Sequence, residues 1–169
     1  KWSSEGQVII RFSSPDAGDA NFNVLLLYQR MLRYHRGEKH IDALVDLDLQ
    51  RLAFAKRVTF NEDKDTTYFA AVEAVCKAHR ASPISTLAGV AAAQYYYEKN
   101  DYVTALTRCE QEMALFPESR GAADCKALKS NILQKEATVE VEDTQLPGAP
   151  FMISAGFRNI SQMHFRIVE

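Results

Sequence analysis

The run from Pro83 to Pro117 leaves the chain few alternatives, because it reads as two short helices folded back on each other. Ser82-Pro83 is a helix start: a hydroxyl able to cap open N–H groups precedes a proline at the first helical position, where a missing donor does no harm. Ala88, Gly89, Ala91, Ala92 and Ala93 then keep the side chains small, so a second helix is able to approach to the short end of the usual separation. Leu87 and Tyr96 fill the flanks. Lys99-Asn100-Asp101 ends the first helix and caps the second. Leu106, Cys109, Met113 and Phe116 follow at helical spacing beside Ala105, and Pro117 terminates the run.

These residues resemble the tetratricopeptide repeat, a unit of about 34 residues. Ala93, Tyr96, the Asn100-Asp101-Tyr102 turn, Ala105 and Pro117 fall on its small, aromatic and proline positions. Gly89 and Ala92 depart from it, standing where the repeat has a large side chain. Asn100 replaces its turn glycine, which Asn tolerates because it adopts the left-handed conformation. One helical pair cannot bury its own apolar face, so neighbouring helices are required. The expected fold is therefore mainly α: antiparallel helical hairpins in a right-handed solenoid, followed by a short antiparallel β segment.

Three regions are expected: an N-terminal segment 1–20, a helical-repeat domain 21–136, and opening β strands 137–169. Lys1-Trp2-Ser3-Ser4 reads as interior sequence, which predicts an excised fragment. Val8, Ile10 and Phe12 alternate as in a short strand, and 13–19 is a loop by composition. From Asn21, a helical face of Phe22, Leu25, Leu26, Tyr28, Met31 and Leu32 runs to a C-terminal cap at Gly37. A helix over 41–58 buries Ile41, Leu44, Val45, Leu49 and Leu52, with Arg51, Lys56 and Arg57 near its end where cations favour the dipole. Asn61 to Asp65 is a polar turn whose last residue caps a helix over 66–80 carrying Phe69, Val72, Cys76 and His79. The 41–58 and 66–80 helices pair, as do 85–98 and 102–116. Ser119 caps a last helix with Ala122, Cys125, Leu128 and Ile132. After Glu136, the runs 138–142, 151–157 and 163–167 alternate as three strands, joined by turns at 146–150 and 158–161, of a sheet with one apolar face in need of cover.

The segment Gly121-Ala122-Ala123-Asp124-Cys125-Lys126-Ala127-Leu128-Lys129-Ser130-Asn131-Ile132, followed by Leu146-Pro147-Gly148-Ala149-Pro150-Phe151 and Phe157-Arg158-Asn159-Ile160, resembles the N-terminal portion of large bacterial alpha-2-macroglobulin-like proteins. The resemblance covers about the second half of the chain. It implies an exported protein of the periplasm or outer membrane whose full length traps proteases through a bait region and, in many members, a reactive thioester. Cys109-Glu110-Gln111 does not supply that thioester, because the family's glutamine lies three residues after its cysteine in a Cys-x-Glu-Gln setting. At the spacing found here, ring closure inside a helix would break the backbone ladder.

Little else carries chemistry. The balance of 20 basic and 22 acidic residues in 169 gives no field that would recruit nucleic acid, and no apolar run is long enough to span a bilayer. His35, His40, His79 and His164 show no metal-ligand spacing. The 61–65 turn begins like a calcium loop but lacks the sixth-position glycine and the twelfth-position glutamate, which is Val72 here. Asp42 and Asp46 read as a solvated face. Cys76, Cys109 and Cys125 lie on apolar helix faces as small hydrophobes; export would leave open a bridge between Cys109 and Cys125. No cofactor, metal or catalytic residue is expected. The function expected is a non-catalytic scaffold or docking segment of an alpha-2-macroglobulin-like endopeptidase inhibitor, whose partners are the remaining domains of its parent chain and a protease or envelope protein. The alternative is a free-standing adaptor that binds a peptide or protein through Tyr95, Tyr97, Arg108 and Lys126.

Overall fold

The structure, a computed structural model, describes residues 18–38, 40–142 and 150–166. Within them the chain is mainly helical: α1 (Ala20–Glu38), α2 (Ile41–Val58), α3 (Lys64–Ala78), α4 (Ser85–Glu98), α5 (Tyr102–Leu115) and α6 (Arg120–Leu133) precede strands β1 (Glu136–Val141) and β2 (Ile153–Arg158). The strand candidate at Val8–Phe12 and the turn at Leu146–Ala149 lie outside the described residues. The chain divides into two compact units, 1–128 and 129–169.

In the first unit each helix from α1 to α5 packs on its neighbour in sequence, and α2 also reaches α4. The core lies where α2, α3 and α4 meet. It holds Val45, Leu52, Val72, Val75, Cys76, Ala88 and Ala92, flanked by Leu49, Phe69 and Ile84. Each fully buried aliphatic side chain here, such as Leu52 or Val72, contributes about 1.5–3 kcal/mol. Ala88, Ala92 and Ala93 are completely buried on α4, the small-residue stripe having let its neighbours close in.

Helix ends follow local chemistry. Asp19 Oδ1 accepts from the Asn21 and Phe22 amides at 2.9 and 3.3 Å and starts α1. Asn100 has φ 61°, and the Asp101 amide bonds back to the Tyr96 carbonyl while the Asn100 amide bonds to that of Tyr97, closing α4 in a left-handed cap. Asp101 then caps α5 through the Thr104 amide at 3.1 Å, and hydrogen bonding from the Thr104 side chain, with that amide second, holds its carboxyl below the usual carboxylate range. Ser119 Oγ accepts from the Ala122 amide at 3.1 Å and starts α6. Gly121 is required there, because a Cβ would lie 2.5 Å from the Thr86 backbone carbonyl carbon.

Several expectations are corrected. α4 begins at Ser85, as the 85–98 span requires, but Pro83 is not its first residue and no side chain caps it; Ser82 acts through its carbonyl, which accepts from the Ser85 amide at 3.0 Å. Asp65 does not cap α3. Asp63 stands at the cap position and Asp65 lies in the first turn, drawn to Lys99 at 3.1 Å and Lys56 at 3.7 Å. Ile41 is 53% exposed and Met31 is also exposed, whereas Leu47 and Asp48 are buried; the buried face of α2 is rotated toward α3 and α4 relative to the apolar spacing.

In the second unit β1 and β2 pair antiparallel, with Val139 opposite Ala155 and Val141 opposite Ile153. Among the described residues the sheet has two strands and not the three expected, residues 162–166 taking no part in the ladder, while Ile167 lies outside the described residues. By alternation Ala137, Val139, Val141, Ile153, Ala155 and Phe157 share one face, and that face is exposed, Val139 by 50% and Phe157 by 65%. Asn159, at φ 56°, turns its amide onto the Ile132 and Gln134 carbonyls at 2.6 and 3.0 Å. The end of β2 thereby satisfies carbonyls that the end of α6 leaves open.

Asp48 gives a pH test of the core. Burial pushes its carboxyl up, against the opposing pull of Arg51 at 2.6 Å. A carboxyl raised in the folded state supports folding fully only while protonated, below its unfolded value of about 3.9, and that support is lost as pH rises through the folded value. Asp48→Asn stays neutral, so urea unfolding should find it as stable as the parent near pH 3 and more stable at pH 7. A variant less stable at pH 7 would show that the Arg51 pair outweighs burial.

Candidate functional site

The most polar buried cluster joins α3, α4 and α5. Glu112, on α5, is 0% exposed although nothing in its sequence neighbourhood marks it as a core residue. It sits in a notch made by Gly89 on α4: a Cβ there would fall 2.3 Å from Glu112 Cδ and 2.4 Å from Cγ. A charged group so placed is costly unless paired. Arg80, just beyond α3, supplies the pair, its Nη1 donating to Oε1 at 2.8 Å and Oε2 at 3.1 Å. Arg108, one turn before Glu112 on α5, places Nε 3.2 Å from Oε1. That contact is an ion pair without hydrogen-bond alignment. Arg108 also reaches Glu73 of α3 at 2.9 Å, again as an ion pair.

Cys76 of α3 completes the group, accepting from Arg108 Nη2 at 3.4 Å and Arg80 Nη1 at 3.7 Å. Two guanidiniums beside a thiol ordinarily favour the thiolate. Here burial and the Glu112 carboxylate outweigh them, and the Cys76 thiol is pushed up. At neutral pH it is a protonated, inert member of the core. The guanidiniums are directed at Glu112 and Glu73, so what the cluster does is hold three helices in register.

The four residues expected to make partner contacts are distributed differently. The Tyr95 ring stacks on Phe69 with centroids 4.4 Å apart, and Tyr97 leans on Tyr102 at 5.5 Å. Arg108 belongs to the Glu112 cluster. Lys126 is exposed on α6. Tyr95, Tyr96 and Tyr97 are each half-buried, Tyr96 meeting the Phe69 ring edge-on at 5.3 Å. A surface network lies beside them: Lys56 pairs with Glu98 at 2.9 Å and lies 5.0 Å over the Tyr68 ring, while Lys99 reaches Asp65. The Tyr68 hydroxyl is pushed up by burial.

Among the described residues no group of three or more His, Cys, Asp or Glu side chains is placed to hold a metal ion. None of the described helices is long and apolar enough to cross a membrane. Comparison with known proteins gives no match: no protein family, no curated protein and no solved structure corresponds to the chain at a significant level. The macroglobulin resemblance therefore stands on its sequence phrases alone.

The notch and its occupant should be coupled. Glu112→Ala leaves Arg80 unopposed and Arg108 with Glu73 alone, and is expected to cost roughly 2–4 kcal/mol, below the full cost of breaking a buried pair because Arg80 is half in solvent. Gly89→Ala alone should cost about 1–3 kcal/mol by overpacking. The double variant should be destabilised by less than the sum, since removing the carboxylate opens the space the new methyl needs. Urea unfolding of the four proteins measures this, and strict additivity would show that Gly89 and Glu112 do not share one space.

Proposed function

We propose that the chain is a non-catalytic scaffold: helical hairpins stacked as a tetratricopeptide-like solenoid, carrying a β segment that other strands of its parent protein complete. The observation that carries this reading is the apolar face of the β1–β2 hairpin, with Val139, Val141, Ile153 and Phe157 open to solvent. A two-stranded sheet with one bare apolar face is marginal by itself. Its burial by further strands would supply what the hairpin lacks. The phrases at 121–132, 146–151 and 157–160 point to an alpha-2-macroglobulin-like endopeptidase inhibitor, exported to the periplasm or outer membrane, as the body carried. The Glu112 cluster supports a holding role, because its charged groups face one another and tie helices together.

The adaptor reading needs Tyr95, Tyr97 and Arg108 turned toward a partner. Their contacts with Phe69, Tyr102 and Glu112 favour the scaffold.

Hydrogen exchange separates the two. In the 169-residue chain the β1 and β2 amides should exchange with little protection. In the parent protein, expressed from the full reading frame, the same amides should be strongly protected and β-rich domains should follow Glu169. Equal, weak protection in both proteins would remove the scaffold reading.

A further inference from the structure

We propose that Cys109 and Cys125 form a disulfide that ties α6 to α5. Both thiols are wholly buried, and they are hydrogen-bond partners across the two helices. Small buried residues stand one turn before each of them. Ala105 lies one turn before Cys109 on α5, and Gly121 and Ala122 lie one turn before Cys125 on α6; all three are buried. Gly121 itself leaves no room for a methyl against Thr86, so the first turn of α6 is pressed onto α4. A disulfide needs Cβ atoms about 3.5–4.5 Å apart, and two buried thiols that already share a hydrogen bond across the helices are close to that spacing. The third cysteine is otherwise engaged, Cys76 lying under the Arg80 and Arg108 guanidiniums.

The oxidant is a disulfide of the thiol-exchange class. One cysteine thiolate attacks a sulfur of the oxidant, a mixed disulfide forms, and one thiolate leaves. The second cysteine thiolate then attacks the protein sulfur of that mixed disulfide and expels the other thiolate. The chain loses two hydrogens and the oxidant becomes two thiols. In the folded, reduced chain this is slow, since the bond to Cys109 and burial push the Cys125 thiol up and neither sulfur meets solvent. The bond therefore forms while α6 is undocked, during folding in an oxidising compartment, and is shielded from reductant afterwards. Its formation in the cell rests on the exported location in the scaffold reading, whereas its formation in a glutathione mixture requires only that the two helices dock.

The reduced, urea-unfolded chain is refolded in a mixture of oxidised and reduced glutathione, then digested with trypsin without reductant. The expected result is an intact mass lower by two hydrogens and a linked pair of peptides, 109–120 and 121–126, separated by reductant. The Cys76→Ser variant, which keeps both partners, should give the same link. Its oxidised form should have a folding equilibrium constant about a hundredfold above its reduced form, as expected for closing a loop of roughly 15 residues. Free thiols at both positions, glutathione adducts, a link to peptide 65–77, or an oxidised form no more stable than the reduced one would each overturn the proposal.

Discussion

A buried carboxylate is the constraint that the arrangement of α3, α4 and α5 answers to. Glu112 has no exposed surface, and an ionised side chain removed from water costs several kcal/mol after relaxation. Two features meet that cost. Gly89 empties the space the side chain occupies, and Arg80 and Arg108 bring opposite charge to it at 2.8 and 3.2 Å. Because Arg80 follows α3, Gly89 belongs to α4 and Glu112 to α5, satisfying the charge fixes the three helices relative to one another. An apolar side chain in the notch would demand only matching volume, whereas a buried carboxylate also demands donors at hydrogen-bond distance and alignment.

Much of the helical order was legible from spacing and end chemistry. The α2 boundaries, the α4–Asn100–α5 turn and the Ser119 start of α6 follow from local residues, as do Ala122, Cys125, Leu128 and Ile132 on the buried face of α6. Glu112 was not legible, because periodicity counts a glutamate as surface and its partners Arg80 and Gly89 lie 32 and about two dozen residues away. The one signal was Gly89 at a position where the repeat pattern has a large side chain. A gap on one helix implies something filling it from another, and the pattern does not say that the filler is charged. Ile41 shows the converse: it matches the apolar spacing but sits at a helix start, exposed.

The β segment was legible by alternation in its first two strands and not in its third. Residues 163–167 alternate like a strand, yet alternation marks only a half-buried surface, and pairing needs a partner edge. Asn159 was legible as part of a turn over 158–161, but not in what its side chain does there. It does two local things at once, adopting a left-handed backbone and closing the carbonyls of Ile132 and Gln134. A side-chain amide is suited to both.

The central claim, that the Glu112 charge cluster holds the helices as one rigid support, is tested most directly by hydrogen exchange on Glu112→Gln. This variant keeps the shape and removes the charge. The account predicts that amides of α3, α4 and α5 lose protection together while those of α1 change little. A loss confined to the turn of α5 around residue 112, with α3 and α4 unaffected, would contradict it.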